Sequence, residues 1–302
     1  MRVGVIDIGT NSTRLFVADV VYGELRPVER RSIVTRLGEG VDATGVLGDA
    51  PQQRVLSTLA TYVLRMDDHR CARRAAIMTS AVRDAHNGAA FAEVVRDTHG
   101  LDARTLSGDE EAQLTFRGAT TGRSAEEQER LVVADIGGGS TELVTPHFHV
   151  STQVGVVRHS ERHIANDPPL PSELAALRAD VREQFDRELP GPVRAGTSSA
   201  VAVAGTATSS AAIDLGLTEY DANRVEGHRL TRARTEAMLD ELATVPLGRR
   251  QRIPGLHPDR APTIVTGLAI LLEVLDAFAL DGFEASDHDI LWGMSLKLAA
   301  EA

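Results

Sequence analysis

Residues Val133-Ala134-Asp135-Ile136-Gly137-Gly138-Gly139-Ser140-Thr141-Glu142-Leu143 read VADIGGGSTEL, three consecutive glycines between an apolar run and a polar one. Such a stretch is either a tight turn that exploits glycine's backbone freedom or a loop whose bare N–H groups hold an anion. A second copy bears on the choice. Val5 to Val17 read VIDIGTNSTRLFV, and Val133 to Thr145 read VADIGGGSTELVT; aligned without gaps, Val, Asp, Ile, Gly, Ser, Thr and Leu recur. Each copy reads as a strand, a tight D-I-G turn and a second strand, the signature of a β-hairpin. Asp7 and Asp135 lie 128 residues apart, about one domain length, so the chain is expected to contain two similar halves.

Composition agrees with two domains of ordinary size. The chain has 302 residues, 42% hydrophobic and 25% charged, as in a soluble globular protein. Cys71 has no second cysteine to pair with, and no basic, apolar leader precedes the strand-like sequence from Val3, which together predict a reducing cytoplasm. The long apolar run Thr263 to Leu280 contains Glu273 and Asp276, so it reads as a buried core helix rather than a membrane span. A formal net charge of −11 argues against general affinity for nucleic acid or acidic membranes, and requires a locally basic groove for any polyanionic substrate. Lys297 is the only lysine; the arginine bias fits phosphate recognition and fits GC-rich coding more simply.

Strand and helix patterns interleave, which makes the class α/β. Ala75 to Thr79 reads as a buried strand, a helix is expected from about Asp109 to Gly118, and another after Pro171 with Leu174, Leu177, Val181 and Phe185 on one face. Strand-like Ala200 to Ala204 is expected to run into a turn, Gly205-Thr206-Ala207-Thr208-Ser209, before Ala-rich helical sequence. The polar stretch Thr121 to Arg130 is the expected domain crossing, and Asp287 to Ala302 reads as an amphipathic helix with Ile290, Leu291, Met294 and Leu298 inward.

Three glycine/hydroxyl turns thus follow strands, at Asp7–Ser12, Asp135–Thr141 and Ala204–Ser209, and together predict phosphate binding. The hairpin aspartates, Asp7 and Asp135, are oxygen donors suited to Mg²⁺ or Mn²⁺, and neither H-E-x-x-H nor a paired C-x-x-C is present. The histidines, including His147 and His149, read as surface or structural residues. In Ser107-Gly108-Asp109-Glu110-Glu111, a capping box accounts for Ser107 and Glu110 and leaves Glu111 over. Glu111 is then either a solvated residue or a general base on water, with neighbouring negative charge raising its pKa into a useful range. Arg249, Arg250, Arg252 and Arg260 form either a surface loop or a basic wall for a long anion, and Arg83 is a further candidate phosphate contact.

These residues resemble a known family. The two D-I-G hairpins and the G-T-x-T turn look like the phosphate and nucleoside motifs of the actin, sugar kinase and heat-shock chaperone superfamily. More particularly, VIDIGTNSTRL, TSAVRDAHN, SGDEEA, VADIGGGSTELV, VGVVRHSERH, AGTATS and PDRAPTIVTGLAIL occur in the order found in the exopolyphosphatase/guanosine pentaphosphate phosphohydrolase (Ppx/GppA) family. They span nearly the whole chain and look most similar to the shorter, two-domain actinobacterial-type exopolyphosphatases.

The resemblance implies two ribonuclease-H-like domains, 1–122 and 123–286, with an active-site cleft between them and the helix 287–302 packed on the first. It implies a cytoplasmic, homodimeric, metal-dependent exopolyphosphatase that releases phosphate from the end of inorganic polyphosphate. Glu111 would be the catalytic base, and Asp135 and Glu142, with Asp7, would serve Mg²⁺ or Mn²⁺. The loop Gly137, Gly138, Gly139, Ser140 and Thr141 would hold the phosphate under attack, helped by Asn11, Ser12 and Arg83, with Gly205, Thr206, Arg250 and Arg252 along the remainder of the substrate. Two alternatives stay open: hydrolysis of guanosine pentaphosphate, and a nucleotide-binding actin-like switch or assembly protein. Ala202 and Gln113 depart from glycine and arginine common in the family. The chain also ends without the helical extension of long members, which predicts a preference for short polyphosphate.

Overall fold

The computed structural model describes residues 1–301 and divides into two compact units, the first comprising Met1–Gly118 and the segment from Ile290 onward, the second Ala119–Asp289.

In the first unit, β1 (Arg2–Ile8), β2 (Ser12–Val21), β3 (Glu24–Val34), β4 (Arg73–Met78) and β5 (Ala103–Thr105) form one sheet in the order β3-β2-β1-β4-β5. The β1–β2 and β2–β3 pairs are antiparallel, and β1–β4 and β4–β5 are parallel. Side-chain alternation assigns each face its own core. Ile6, Ile8, Leu15 and Val17 pack under helices Asp49–Asp68 and Gly88–His99. Val3, Val5, Phe16 and Ala18 pack under helix Ile290–Ala300, where Trp292 stacks on Phe16 at 5.5 Å between ring centroids. All four residues expected on the inward stripe of that helix, Ile290, Leu291, Met294 and Leu298, are buried. Gly293 lies against the Leu114 carbonyl of helix Gly108–Ala119, where a Cβ would overlap the backbone, so glycine lets the two helices meet.

The second unit repeats the plan. Its strands are β6 (Leu131–Ile136), β7 (Thr141–Thr145), β8 (Phe148–Thr152), β9 (Ser199–Val203), β10 (Arg229–Thr231) and β11 (Gly282–Ala285), in the order β10-β11-β9-β6-β7-β8. Reading β6, β7, β8, β9 and β11 as counterparts of β1 to β5 reproduces the order and the sense of every pair, with β10 added at the edge. The expected apolar run forms helix Ile264–Ala277, buried along nearly its whole length. It tolerates Glu273 because Arg178 Nε, at 2.6 Å, and Arg182 Nε, at 2.9 Å, pair with the carboxylate, so the buried charge is compensated. No helix among the described residues is long and apolar enough to cross a membrane.

One local expectation fails. The Gly205–Ser209 stretch is not a turn: helix Ala204–Asp214 begins directly at the end of β9. Ala204, at φ 61°, makes the reversal by itself. A side-chain-bearing residue in the left-handed region carries a cost of about 1–2 kcal/mol, and the single residue leaves no room for a separate loop.

Candidate active site

The tip of the β6–β7 hairpin is built from its carbonyls outward. Gly137 N–H donates to Ser140 O at 2.9 Å and closes the turn. Helix Val156–His163 then abuts the tip: Val156 N–H donates to Gly137 O at 3.0 Å, and Val157 N–H and Arg158 N–H donate to Gly138 O at 2.8 and 3.2 Å. Arg158 Nε donates to Gly139 O at 2.8 Å. In a planar trans peptide the N–H points opposite to the preceding C=O. With the carbonyls of Gly137, Gly138 and Gly139 turned toward helix Val156–His163, the N–H groups of Gly138, Gly139 and Ser140 point the other way. Three successive N–H groups on one side have the geometry of a backbone nest, a concavity that can hold an anion. Gly155 completes the arrangement, since a Cβ there would overlap the backbone of Gly138 and Gly139. Thr141 is buried, and its hydroxyl donates to Val154 O at 2.7 Å, so this side chain secures the turn.

Asp135 and Glu142 stand directly opposite each other across the β6–β7 ladder and are both buried, at 6% and 1% exposure. Opposed residues of an antiparallel pair project from the same face with Cβ atoms about 4.5–5.5 Å apart. Ser151 on β8, facing Glu142 in register, donates its hydroxyl to Glu142 Oε1 at 2.6 Å and fixes that carboxylate. Two buried carboxylates on one face are the hard oxygen donors that suit Mg²⁺ or Mn²⁺.

The first hairpin shares the turn and differs in charge. Gly9 N–H donates to Ser12 O at 3.0 Å, matching the turn of the second copy. The carbonyls of Asn11 and Thr10 accept from Arg36 and Gly38, so this tip leans on the 36–38 segment instead of a helix. Ser12 is buried and Asn11 partly so. Opposite Asp7, where the second copy has Glu142, stands Arg14, whose Nε and Nη2 donate to Asp7 Oδ2 at 2.9 and 2.6 Å. Asp7 is therefore in a buried ion pair, while Asp135 faces a second acid.

Glu111 lies in the first turn of helix Gly108–Ala119 and is 7% exposed. Its neighbour Glu110 is used as the capping box predicts: Ser107 N–H donates to Glu110 Oε2 at 3.0 Å, and Glu110 N–H to Ser107 Oγ at 3.2 Å. The backbone hydrogen bond from Ser107 holds the Glu110 carboxyl below the usual range against the opposing effect of burial. Glu111 is engaged differently. Arg83 Nη1, on the short helix Ser80–Asp84, donates to Glu111 Oε2 at 2.9 Å and to Leu106 O at 3.2 Å. Arg83 thus sets a cation against the Glu111 carboxylate, where the sequence reading expected neighbouring negative charge. Thr10 ties the hairpin to the same short helix, accepting from Ala81 N–H at 3.2 Å.

The remaining candidates separate. Gly205 and Thr206 occupy the first turn of helix Ala204–Asp214. Gly205 lies beneath the guanidinium of Arg260, which would overlap a Cβ there, and Thr206 packs on Gly267. Arg250 is buried, its Nη2 donating to Asp167 Oδ1 at 2.5 Å, whereas Arg252 is exposed. Of the loop arginines, Arg260 is the one laid against a glycine motif. The sequence grouped Arg260 with three other loop arginines, and its contact with Gly205 spans 55 residues and has no local pattern.

Comparison with known proteins identifies the family. The Ppx/GppA phosphatase family profile matches residues 16–299. Exopolyphosphatase 2 of Mycobacterium tuberculosis is 35% identical over 99% of this chain and 98% of its own length. A bifunctional 3-dehydroquinate synthase/phosphatase of Fusobacterium nucleatum is 30% identical over 97% of this chain, using 46% of its own. A solved exopolyphosphatase-like protein superposes with a TM-score of 0.91 at 32% identity, covering 98% of this chain and 97% of that one. The Aquifex aeolicus Ppx/GppA protein gives 0.82 at 27% identity, covering 100% and 98%. With the duplicated sheet order, the two carboxylate-bearing hairpins and a match along almost the entire sequence, this chain is a two-domain α/β protein that belongs to the Ppx/GppA phosphatase family.

Proposed function

We infer that the protein is an exopolyphosphatase that hydrolyses the terminal phosphoanhydride bond of inorganic polyphosphate and releases phosphate. The observation that carries this reading is the row of N–H groups at Gly138, Gly139 and Ser140, turned outward because helix Val156–His163 donates to the loop carbonyls. Full-length similarity to exopolyphosphatases supports the substrate. In this reading the nest holds the terminal phosphoryl group and stabilises the charge on its oxygens, which is where most catalysis of phosphoryl transfer lies. Glu111 accepts a proton from the attacking water, and Arg83 orients the Glu111 carboxylate and offers positive charge to the substrate. Mg²⁺ or Mn²⁺ held by Asp135 and Glu142 supplies charge neutralisation for the phosphoryl oxygens. Ser151 keeps Glu142 in place for that role.

Glu111→Gln keeps the size of the side chain and removes the base. It is expected to abolish phosphate release while leaving polyphosphate binding nearly intact; substantial residual turnover refutes the assignment. A panel of polyphosphates of defined length, guanosine pentaphosphate and ATP, each with Mg²⁺ and Mn²⁺, tests the substrate, with the highest kcat/KM expected on short polyphosphate.

A further inference from the structure

Helix Val156–His163 carries His159 and His163 one turn apart, and helix Pro171–Glu188 brings Asp180 to both. His163 Nε2 is 2.8 Å and His159 Nε2 3.6 Å from the same atom, Asp180 Oδ2. One ligand atom from each residue lies within 4.8 Å of the other two. Around a tetrahedral ion with bonds of about 2.0–2.2 Å, neighbouring ligand atoms stand about 3.3–3.5 Å apart, so both distances to Asp180 need change by only about half an ångström, while the two histidines must approach each other by up to about 1.4 Å. Two histidines four residues apart on one helix with a carboxylate from a second element are donors for a borderline cation, unlike the all-oxygen pair Asp135 and Glu142. Asp180 also accepts from Gln184 Nε2 at 2.9 Å and Arg162 Nη1 at 3.2 Å. Gln184 fixes the second carboxylate oxygen, while Arg162, 40% exposed, can swing to solvent when a cation arrives.

We propose that His159, His163 and Asp180 bind a divalent transition cation of the Zn²⁺ class, and that its binding is transmitted to the phosphate loop through Gly155. The transmission follows from the tautomer of His159. Its Nδ1 accepts from Gly155 N–H at 3.3 Å, which puts the ring proton on Nε2, facing Asp180 Oδ2 at 3.6 Å; Gln184 Nε2 lies 3.4 Å from the same nitrogen but makes its shorter bond, 2.9 Å, to Asp180 Oδ1. Coordination through Nε2 returns a proton to Nδ1, where it meets the Gly155 N–H donor and the hydrogen bond is lost; any proton on His163 Nε2 leaves to solvent. Gly155 is the residue packed against Gly138 and Gly139, so its displacement disturbs the backing of the N–H nest. This second half rests on the reading of that nest as the phosphate site; cation binding itself does not.

The test uses the full chain in excess Mg²⁺, titrated with Zn²⁺ by calorimetry and with Co²⁺ by visible absorption. One equivalent of Zn²⁺ and tetrahedral Co²⁺ bands are expected from wild type and from Asp135→Asn. Affinity should fall about tenfold or more in His163→Ala and Asp180→Asn, with His163→Gln as a second variant and circular dichroism confirming each fold. Equal Zn²⁺ affinity in wild type and His163→Ala, or no stoichiometric binding, overturns the site. Polyphosphate hydrolysis should fall with the same Zn²⁺ midpoint in wild type and resist Zn²⁺ in His163→Ala; unchanged hydrolysis in a Zn²⁺-saturated, active enzyme overturns the coupling. Absence of polyphosphate hydrolysis without Zn²⁺ refutes the proposed function and leaves the binding result standing.

Discussion

Gly155→Ala separates the geometry of the phosphate loop from the stability of the fold. Gly155 sits at φ −150° and ψ 153°, extended backbone that alanine adopts without strain, so any effect comes from the added methyl group. That Cβ would stand 2.6 Å from the Gly138 carbonyl carbon and overlap its oxygen. Ordinary carbon contacts lie at about 3.5–4.0 Å, so the loop and helix Val156–His163 must separate by about 1 Å. Overpacking of this kind costs about 1–3 kcal/mol of stability. A misplacement of about 1 Å in a group that positions the reacting phosphate costs about 10²-fold in rate. Gly282→Ala is the control. Its Cβ would overlap the Leu230 carbonyl and stand 3.0 Å from the Thr231 Cα, on the β10–β11 pair, with β9 between that pair and β6. Urea denaturation should show comparable losses for both variants. Phosphate release from polyphosphate, measured where both are folded, should show kcat/KM reduced about 10²-fold in Gly155→Ala and near wild type in Gly282→Ala. A Gly155→Ala enzyme with wild-type kcat/KM would refute the argument that helix Val156–His163 sets the N–H nest.

The two hairpin aspartates should respond differently to removal of charge. Asp135→Asn and Glu142→Gln are expected to raise the Mg²⁺ concentration for half-maximal activity by about tenfold or more, whereas Asp7→Asn should leave it near wild type and lower stability by about 3–5 kcal/mol, because Arg14 loses its partner; metal titration and urea unfolding read the two effects. Stability at low pH tests the ion-pair cluster on β3. Burial opposes ionisation of Glu29, but hydrogen bonds from Arg31, Arg65 and His69 outweigh it and hold the carboxyl at about 2 against an ordinary value of 4.5. The unfolded chain therefore takes up the proton first, so this contribution is complete above pH 4.5 and is lost as the pH falls toward 2. Glu29→Gln should lower the urea midpoint at pH 7 and flatten its decline between pH 4.5 and 2; an unchanged slope contradicts the assignment.

The hairpins, the interleaved class, the buried Thr263–Leu280 run and the C-terminal stripe were legible because each is a local pattern: a repeat, a period of two, or a period near 3.6. The capping box at Ser107 and Glu110 was legible for the same reason. Helix Ala204–Asp214 was not, since glycine and hydroxyl residues resemble a loop and Ala204 conceals the left-handed turn that glycine would have announced. The contacts of Gly205 with Arg260, Arg83 with Glu111, and Asp180 with two histidines join segments far apart in sequence, and only the packing of their elements creates them. The histidines read as surface or structural residues in the sequence, and it is the packing of a second helix that brings Asp180 to His159 and His163.

The duplication also explains how one hairpin design serves two tasks. Both copies close the same turn by the same hydrogen bond, from Gly9 to Ser12 and from Gly137 to Ser140. Opposite the shared aspartate they carry opposite charges, Arg14 in one and Glu142 in the other. An arginine there turns the aspartate into half of a buried ion pair, whose net charge is zero and which needs no further ion. A glutamate there leaves two like charges on one buried face, an arrangement whose repulsion is relieved by a divalent cation. The second copy also gains helix Val156–His163 behind its carbonyls, which turns three N–H groups outward beside the acids. In the proposed function, cation and phosphate binding in the same hairpin would thus come from three substitutions in a common frame: glutamate for arginine at the ladder, and two extra glycines at the tip. Installing Glu at position 14 would not transfer the function, because the first tip leans on Arg36 and Gly38 and lacks the helix that aims the donors.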